Sequence, residues 1–251
     1  MRPEVVAHRG ASAHRAEHTL GAYELAVEQG ADALECDVRV SRDGQLVCVH
    51  DRRIDRTSDG RGVVSELTVA MMEHLDFSGW HHGTAERGVL TLDALLGLAR
   101  DHSVPLFVET KHPVRYAGLV EAKLIALLAR HGLNAPEDKR NSPVVMMSFS
   151  SAAVRRVHEA APRLPTVLLF DRMSKRRRAG VLPPWADYAG PDVRLLRRDA
   201  DYVARAAERG HDTYCWTVDD AADVSLCARA GVRYIATNRP AATRSRLVEQ
   251  R

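Results

Sequence analysis

Residues 33–51 read ALECDVRVSRDGQLVCVHD, and this stretch decides the fold. Two β-like runs flank Asp43-Gly44, a dipeptide that is typical of a tight hairpin turn. The link between the runs is far too short for a crossover between parallel strands. We therefore expect a strand that passes the rim of its sheet, turns back, and brings His50 near the height of Asp37.

Outside this stretch, short β-branched segments alternate with longer segments of helical period, which favours a parallel α/β architecture. The eight candidate strands are Glu4–His8, Asp32–Asp37, Val104–Lys111, Val144–Phe149, Thr166–Phe170, Asp187–Gly190, Asp212–Thr217 and Arg233–Thr237. Helices are expected at Thr19–Gln29, Leu92–Arg100, Leu119–Arg130, Ser151–Ala160, Asp199–Arg209 and Asp219–Ala230, with a weaker one at Leu67–His74. At 251 residues, the chain has the size of one (β/α)8 TIM barrel. We predict a single domain over residues 1–251, with a small insertion after strand two at about residues 38–90.

Composition narrows the classes of function. The formal net charge is only +3, with 33 acidic residues, which does not indicate a nucleic-acid partner. Four cysteines in no C-x-x-C pair predict free thiols in a reducing compartment. The N-terminus has no apolar signal-peptide core, and no run approaches the length of a membrane span. We expect a cytoplasmic protein without a stable membrane anchor, and the oligomeric state stays open.

Acidic side chains fall at the ends of two predicted strands. Glu35 and Asp37 are two residues apart, so both point to the same face, and Glu109 and Lys111 share that relation. In a barrel these carboxyl-terminal ends converge on one mouth. Three carboxylates aimed into one cavity repel each other, and a hard divalent cation relieves that repulsion. Oxygen ligands suit Mg²⁺, Ca²⁺ or Mn²⁺ rather than Zn²⁺.

Two histidines and two cations fall beside these carboxylates. His8 ends strand one, and His50 ends the returning hairpin strand, so the pair is suited to proton transfer near neutral pH. Arg9 and Lys111 suit phosphoryl oxygens. A metal ion, an acid, a base and phosphate-binding cations together indicate cleavage of a phosphodiester.

An ordered set of short motifs resembles the glycerophosphodiester phosphodiesterase family over nearly the whole chain. The motifs are His8-Arg9-Gly10, Ala16-Glu17-His18-Thr19, Glu35-Cys36-Asp37-Val38, Asp43-Gly44, Val49-His50-Asp51, Glu109-Thr110-Lys111 and Trp216-Thr217-Val218. The resemblance implies a TIM barrel with an insertion after strand two. It also implies hydrolysis of a small-molecule glycerophosphodiester to glycerol 3-phosphate and an alcohol, with a divalent metal ion (Mg²⁺ or Ca²⁺) as cofactor.

The resemblance also implies a role for each matching residue. In the family mechanism the glycerol hydroxyl attacks phosphorus, and water opens the resulting cyclic phosphate. The implied assignment is Glu35, Asp37 and Glu109 as metal ligands, His8 and His50 as the acid–base pair, Arg9 and Lys111 as phosphate-binding residues, Trp216 against the glycerol carbons, and Glu17 in support. Which histidine is the acid, which metal is used and which alcohol leaves are open at this point.

Three positions depart from the family pattern. His18 stands where the family usually has Asn, which puts the geometry of that loop in doubt. Asn238 stands where the family often has Asp, and we expect an effect on helix capping there. Thr110 stands where an apolar residue is usual.

Two alternative functions keep the same barrel. A lysophospholipase D or sphingomyelinase D type of lipid enzyme would use the same metal and histidines, and an apolar mouth would favour it. The insertion is polar, with Leu75, Phe77 and Trp80 as its main apolar patch. A non-catalytic binding barrel would require loss of a ligand or a catalytic histidine, and all five are present. A packing role is the alternative for Trp216.

Overall fold

The computed structural model describes residues 2–81 and 86–249. Its strands are β1 (Glu4–His8), β2 (Ala33–Val40), β3 (Leu46–Cys48), β4 (Leu106–Thr110), β5 (Val144–Ser148), β6 (Thr166–Phe170), β7 (Tyr188–Pro191), β8 (Tyr214–Cys215) and β9 (Tyr234–Thr237). All strands except β3 run parallel, in the order β7-β6-β5-β4-β2-β1-β9-β8. Each of the eight expected barrel strands is therefore confirmed.

The sheet curls into a nearly closed barrel. Its two end strands, β7 and β8, meet through isolated parallel bridges that join Ala189 to Thr213 and Asp192 to Trp216. With helices on the outside of this ring, the fold is the predicted (β/α)8 TIM barrel.

Helices fill most of the connections between strands. They are α1 (Leu20–Glu28), α2 (Val69–Met72), α3 (Leu92–Asp101), α4 (Leu119–Arg130), α5 (Ser151–Ala160), α6 (Lys175–Arg178), α7 (Val193–Arg198), α8 (Tyr202–Glu208), α9 (Ala221–Ala230) and α10 (Pro240–Glu249). Thr19, Thr91 and Ser150 cap α1, α3 and α5 by accepting a hydrogen bond from a first-turn N–H group. The helical periodicity did not predict α6, α7 or α10. α10 begins with a proline at its first position, a start signal that the periodicity did not reveal.

The alternation of side chains along each strand produces two apolar layers. One cluster fills the inside of the barrel, where the ring of Phe107 lies 5.1 Å from Tyr214 and 5.0 Å from Tyr234. A larger cluster lies between the strands and the helices and includes Leu34 and Cys36. The inner layer fills the barrel below its mouth.

The insertion follows the predicted hairpin. β2 continues past the barrel rim, and β3 returns antiparallel to it with Val38 opposite Cys48. The N–H of Val49 then donates to the carbonyl of Asp37 at 3.0 Å, which places His50 at the height of the acidic residues. The inserted helix, α2, is shorter than the predicted span of residues 67–74.

The insertion has a small apolar core of its own, which includes Val47, Ile54, Met72 and Phe77. Phe77 is only 6% exposed, so it does not belong to a surface patch as we expected, whereas Trp80 is 40% exposed. The insertion therefore sits on the barrel as a packed unit with a mostly polar outer surface.

Within the described ranges, no helix combines the length and the apolar character needed to cross a membrane.

Candidate active site

The carboxyl ends of β1, β2 and β4 bring the predicted polar residues into one mouth. The sheet register pairs His8 with Glu35 and Asp37 with Glu109. The side chains of each pair therefore lie side by side on neighbouring strands. Lys111 follows β4 directly and donates its backbone N–H to the carbonyl of Val38. The parallel register itself therefore assembles the cluster.

Three carboxylates form the floor of this mouth. Oxygen atoms of Glu35, Asp37 and Glu109 all lie within 4.8 Å of one another, and the three residues are 1%, 0% and 7% exposed. Burial, followed by repulsion from Asp37, raises the pKa of Glu35 well above its usual value. The same two causes raise the pKa of Glu109 to about 8. Two of the three carboxyl groups therefore favour the protonated form unless additional positive charge is present.

Two cations hold the middle carboxylate ionised. Burial alone raises the pKa of Asp37, but Arg9 and Lys111 outweigh it, and the pKa falls well below its ordinary value. The Arg9 Nε atom lies 2.9 Å from one oxygen of Asp37, and Lys111 Nζ lies 3.2 Å from the other. Lys111 also lies 2.8 Å from Glu109. Both cations thus stand at the edge of the acidic cluster, where a bound anion can reach them.

The donor set fits a hard divalent cation. The Oδ1 atom of Asp37 is buried and has Lys111 Nζ as a charged neighbour at 3.2 Å, but within the described residues it accepts no hydrogen bond of acceptable geometry. Buried carboxylate oxygens that accept no hydrogen bond are rare, and a bound ion is one of the accepted reasons for them. With carboxylate oxygens of Glu35 and Glu109 close by, this atom offers an all-oxygen site of the kind preferred by Mg²⁺ and Ca²⁺.

The hydrogen bonds of Asn238, the partner of His8, determine the tautomer of His8. Asn238 donates from its side-chain NH₂ to Asp219 at 2.6 Å, so its Oδ1 is the acceptor for Ser12 and for Nδ1 of His8 at 2.8 Å. The proton of neutral His8 is therefore on Nδ1, and its Nε2 carries a free lone pair. Burial, followed by the charge of Arg9, lowers the pKa of His8 to about 4.

His50 differs from His8 because its partner is a carboxylate. Its Nδ1 lies 2.7 Å from Asp51, which accepts a hydrogen bond from Arg56. Burial lowers the pKa of His50, while Asp37 and the bond to Asp51 oppose that change. A carboxylate partner stabilises an imidazolium better than a neutral amide does, so the mouth holds two histidines with different proton affinities.

Glu17 connects Arg9, the residue after His8, to Arg56, which bonds to the His50 partner Asp51. It accepts hydrogen bonds from Arg9 at 3.2 Å and from Arg56 at 2.8 and 2.9 Å. Burial raises the pKa of Glu17, but the hydrogen bond from Arg56 and the charge of Arg9 bring it down to about 2. Glu17 therefore stays ionised and orients both arginines.

The backbone and contacts of His18 show why a histidine fits where the family usually has Asn. Its backbone lies in the left-handed region, with φ of 60°, where Asn and His are enriched among residues other than glycine. One ring nitrogen lies 2.9 Å from the hydroxyl of Tyr23 and the other 3.1 Å from Asp37. His18 thus keeps the loop conformation and adds a contact to the metal-ligand candidate Asp37.

The outer face of the strands carries Thr110, a third departure from the family pattern, and Cys36. Thr110 is 1% exposed and alternates with Glu109 and Lys111, so its side chain points away from the mouth. Cys36 lies in the outer apolar cluster, since it alternates with the inward-pointing Glu35 and Asp37. Neither residue reaches the polar cluster.

An aromatic pair forms one wall of the mouth. Trp216 donates from its indole N–H to the carbonyl of Gly190 at 2.8 Å, and its ring meets Phe149 edge to face at 5.1 Å. Phe149 is 43% exposed, and Lys111 Nζ lies 5.9 Å from its ring centre. Sequence reasoning named Trp216 and missed Phe149, although its place directly after β5 was a usable signal.

The comparisons with known proteins agree with this geometry. Residues 8–242 match the glycerophosphoryl diester phosphodiesterase family. The "Probable glycerophosphodiester phosphodiesterase 1" of Mycobacterium tuberculosis is 49% identical over 259 residues, which cover 99% of this chain and 94% of the relative. The "Glycerophosphodiester phosphodiesterase" of Bacillus subtilis is 34% identical over 94% of this chain and 83% of its own.

A solved structure of a glycerophosphodiester phosphodiesterase has the same fold. The crystal structure of glycerophosphodiester phosphodiesterase from Agrobacterium tumefaciens superposes with a TM-score of 0.80 at 26% identity, over 97% of this chain and 99% of that one. The chain is therefore an enzyme that belongs to the glycerophosphoryl diester phosphodiesterase family.

Proposed function

We propose that residues 1–251 act as one metal-dependent phosphodiesterase domain that hydrolyses glycerophosphodiesters to glycerol 3-phosphate and an alcohol. One observation carries the proposal. A buried group of three carboxylates, with oxygens within 4.8 Å of one another, lies beside two histidines and two cations in a single mouth. Each of these parts serves phosphodiester cleavage, and together they match the family of the chain.

Glu35, Asp37 and Glu109 would hold the ion, which we expect to be Mg²⁺ or Ca²⁺. When bound, such an ion polarises a phosphoryl oxygen and offsets the charge that develops on it. Arg9 and Lys111 would contact the other phosphoryl oxygens, because both already stand at the edge of the carboxylates. The substrate is thereby oriented by charge from several sides.

The two histidines divide the proton transfers. His8 is the base, because its Nε2 lone pair is free and its pKa of about 4 keeps the ring neutral. It takes the proton of the glycerol 2-hydroxyl as that oxygen bonds to phosphorus. His50 is the acid, because Asp51 favours its imidazolium, and it protonates the leaving alcohol as the bond from phosphorus to that oxygen breaks.

Water then opens the cyclic phosphate with the roles reversed. His50 takes a proton from the attacking water, and His8 returns its proton to the ring oxygen as that bond to phosphorus breaks. The products are glycerol 3-phosphate and the free alcohol, and both histidines recover their starting states. Trp216 and Phe149 would pack against the glycerol carbons, and Glu17 supports Arg9.

No observation favours the lipid-enzyme alternative. Phe77, part of the apolar patch that would have served a lipid tail, is buried inside the insertion. The binding-barrel alternative lacks the lost ligand or histidine that it requires. The four cysteines are buried free thiols, which supports a reducing compartment such as the cytoplasm for this activity.

The test incubates the purified protein with glycerophosphocholine and glycerophosphoethanolamine in Mg²⁺, Ca²⁺ or EDTA, and quantifies glycerol 3-phosphate. We expect product that depends on the metal and disappears in His50→Ala and in Glu35→Ala. Product that persists in EDTA or in either variant would contradict the proposed site. Activity on lysophospholipids or sphingomyelin in place of these substrates would favour the lipid-enzyme alternative.

A further inference from the structure

A second cavity of about 580 Å³ opens beside the mouth, between the hairpin, the insertion and the loop after β4. Four arginines line it: Arg39, Arg42, Arg52 and Arg115. Glu66 is the only acidic side chain in the described lining, and it is exposed. The cavity therefore carries a large excess of positive charge.

These arginines differ from the others around the mouth in having no acidic partner. Arg9, Arg53 and Arg56 each form an ion pair with a carboxylate. None of the four cavity arginines forms an ion pair with any residue in the described ranges. Arg39 instead donates from Nε to the carbonyl of His50 at 3.0 Å. An unpaired guanidinium group is free to bind a phosphate or a carboxylate through two parallel hydrogen bonds.

Three chain segments lead from the proposed catalytic residues to the lining of the cavity. Arg39 lies two residues beyond Asp37, Arg52 two beyond His50, and Pro113 two beyond Lys111, and all three line the cavity. Two residues of extended chain span about 7 Å. A group attached to the leaving alcohol can therefore enter the cavity while the phosphodiester lies against the catalytic residues.

The cavity lies on one side of the mouth, and that position determines which part of the substrate the cavity receives. It lies on the side of His50, which the proposed function makes the donor of a proton to the leaving oxygen. The aromatic pair of Phe149 and Trp216 is absent from its lining, which leaves that pair for glycerol. The cavity thus faces the leaving alcohol.

We propose that this arginine-lined cavity is a subsite for an anionic group on the leaving alcohol. The preferred substrates are then glycerophosphodiesters whose alcohol carries a second phosphate or a carboxylate. The inference rests on the proposed function, because that function sets which alcohol leaves. A cationic alcohol such as choline is the least suited to the cavity.

Two matched substrate pairs test the subsite. Glycerophosphoinositol 4-phosphate differs from glycerophosphoinositol by one phosphate, and glycerophosphoserine differs from glycerophosphoethanolamine by one carboxylate. Because a hydrogen bond to a charged group contributes more than a neutral one, we expect kcat/KM to be about tenfold or more higher for the anionic member of at least the phosphate pair. The two pairs show which anion the cavity prefers.

Substitution of two exposed arginines tests whether the preference for anionic substrates depends on the cavity. The double variant Arg42→Gln, Arg115→Gln should bring the ratio of kcat/KM within each pair close to one. Arg53→Gln is the matched control, since Arg53 lies next to Arg52 in sequence but pairs with Asp55 and does not line the cavity. A wild-type ratio near one, or a ratio that survives the double variant, would overturn the subsite while the proposed function stands.

A binding measurement separates the subsite from catalysis. Calorimetric titration in EDTA with myo-inositol 4-phosphate, and with myo-inositol as the comparison, reports the cavity without any turnover. We expect binding of the phosphorylated compound alone, and its loss in the double variant. If no glycerophosphodiester is hydrolysed, the proposed function fails, and this titration still decides whether the cavity binds the anion.

Discussion

Nδ1 of His8 lies 2.8 Å from Oδ1 of Asn238, so the catalytic-base candidate faces a neutral amide. From the sequence we expected Asn238 to affect a helix cap. Its side chain instead bonds to a histidine of the mouth. The hydrogen bond with Asn238 raises the pKa of His8, but burial and the charge of Arg9 outweigh it and lower that pKa to about 4.

Asn238→Asp is expected to move the pH dependence of the reaction. A carboxylate in this place favours the imidazolium, so the pKa of His8 rises. A base must be unprotonated to act, and the acid limb of kcat/KM should therefore move to higher pH by about one unit or more. The measurement is a pH profile of kcat/KM for both proteins, and an unchanged acid limb would show that His8 is not the base.

Substrates with different leaving groups separate the two histidines. A glycerophosphodiester of p-nitrophenol needs no proton on its leaving oxygen, so His50→Ala should lose less than about tenfold with it in a single turnover. With glycerophosphoethanolamine the same variant should lose about a hundredfold or more. His8→Ala should be impaired equally on both substrates. Recovery of His8→Ala, and not of His50→Ala, would reverse the assignment of acid and base.

Metal affinity is expected to depend on pH through Glu109. Its pKa of about 8 in the metal-free protein means that it is protonated at neutral pH, and the ion must displace that proton. The contribution of Glu109 should therefore make the affinity rise with pH until about pH 8, by up to tenfold per unit, with release of one proton. Calorimetry in buffers of different ionisation enthalpy measures the total release, which Glu109→Gln should lower by the share of Glu109, while the share of Glu35 remains. A pH-independent affinity would rule out this coupling.

Gly10 is expected to be essential for the turn that positions Arg9. Its φ is +84°, and a Cβ atom there would lie 2.7 Å from the backbone carbon of Ala22. Gly10→Ala should lower the free energy of unfolding by more than about 2 kcal/mol, because strain and overpacking add. Gly97→Ala is the control, because Gly97 lies inside α3 with open space around it, and it should gain about 0.5–1 kcal/mol. Chemical denaturation measures both, and similar effects would refute the argument.

The local sequence pattern predicted the barrel because its strands are short, mostly apolar and separated by segments of helical period. The short link at Asp43-Gly44 was enough to predict the hairpin and to place His50 near Asp37. Periodicity did not predict α10, whose apolar positions are few and whose start depends on a proline.

The parts of the site that sequence reasoning missed depend on contacts between distant segments. Asn238 was named only as a departure from a motif, yet its side chain meets His8 across 230 positions of sequence. Phe149 ends a predicted strand, but only the closed barrel brings it to Trp216. The arginine cavity combines four positions from three segments, and no local spacing indicates that they share a wall.

Phosphorus NMR of glycerophosphoethanolamine with metal-stripped protein follows the whole proposed reaction in one sample. After addition of Mg²⁺ or Ca²⁺, we expect the diester signal to be replaced by that of glycerol 3-phosphate, with the cyclic phosphate as an intermediate. In Asp37→Asn the diester signal should persist, because the central ligand has lost its charge. An unchanged diester signal in the wild-type protein with every divalent metal, or equal turnover in EDTA, would contradict the account.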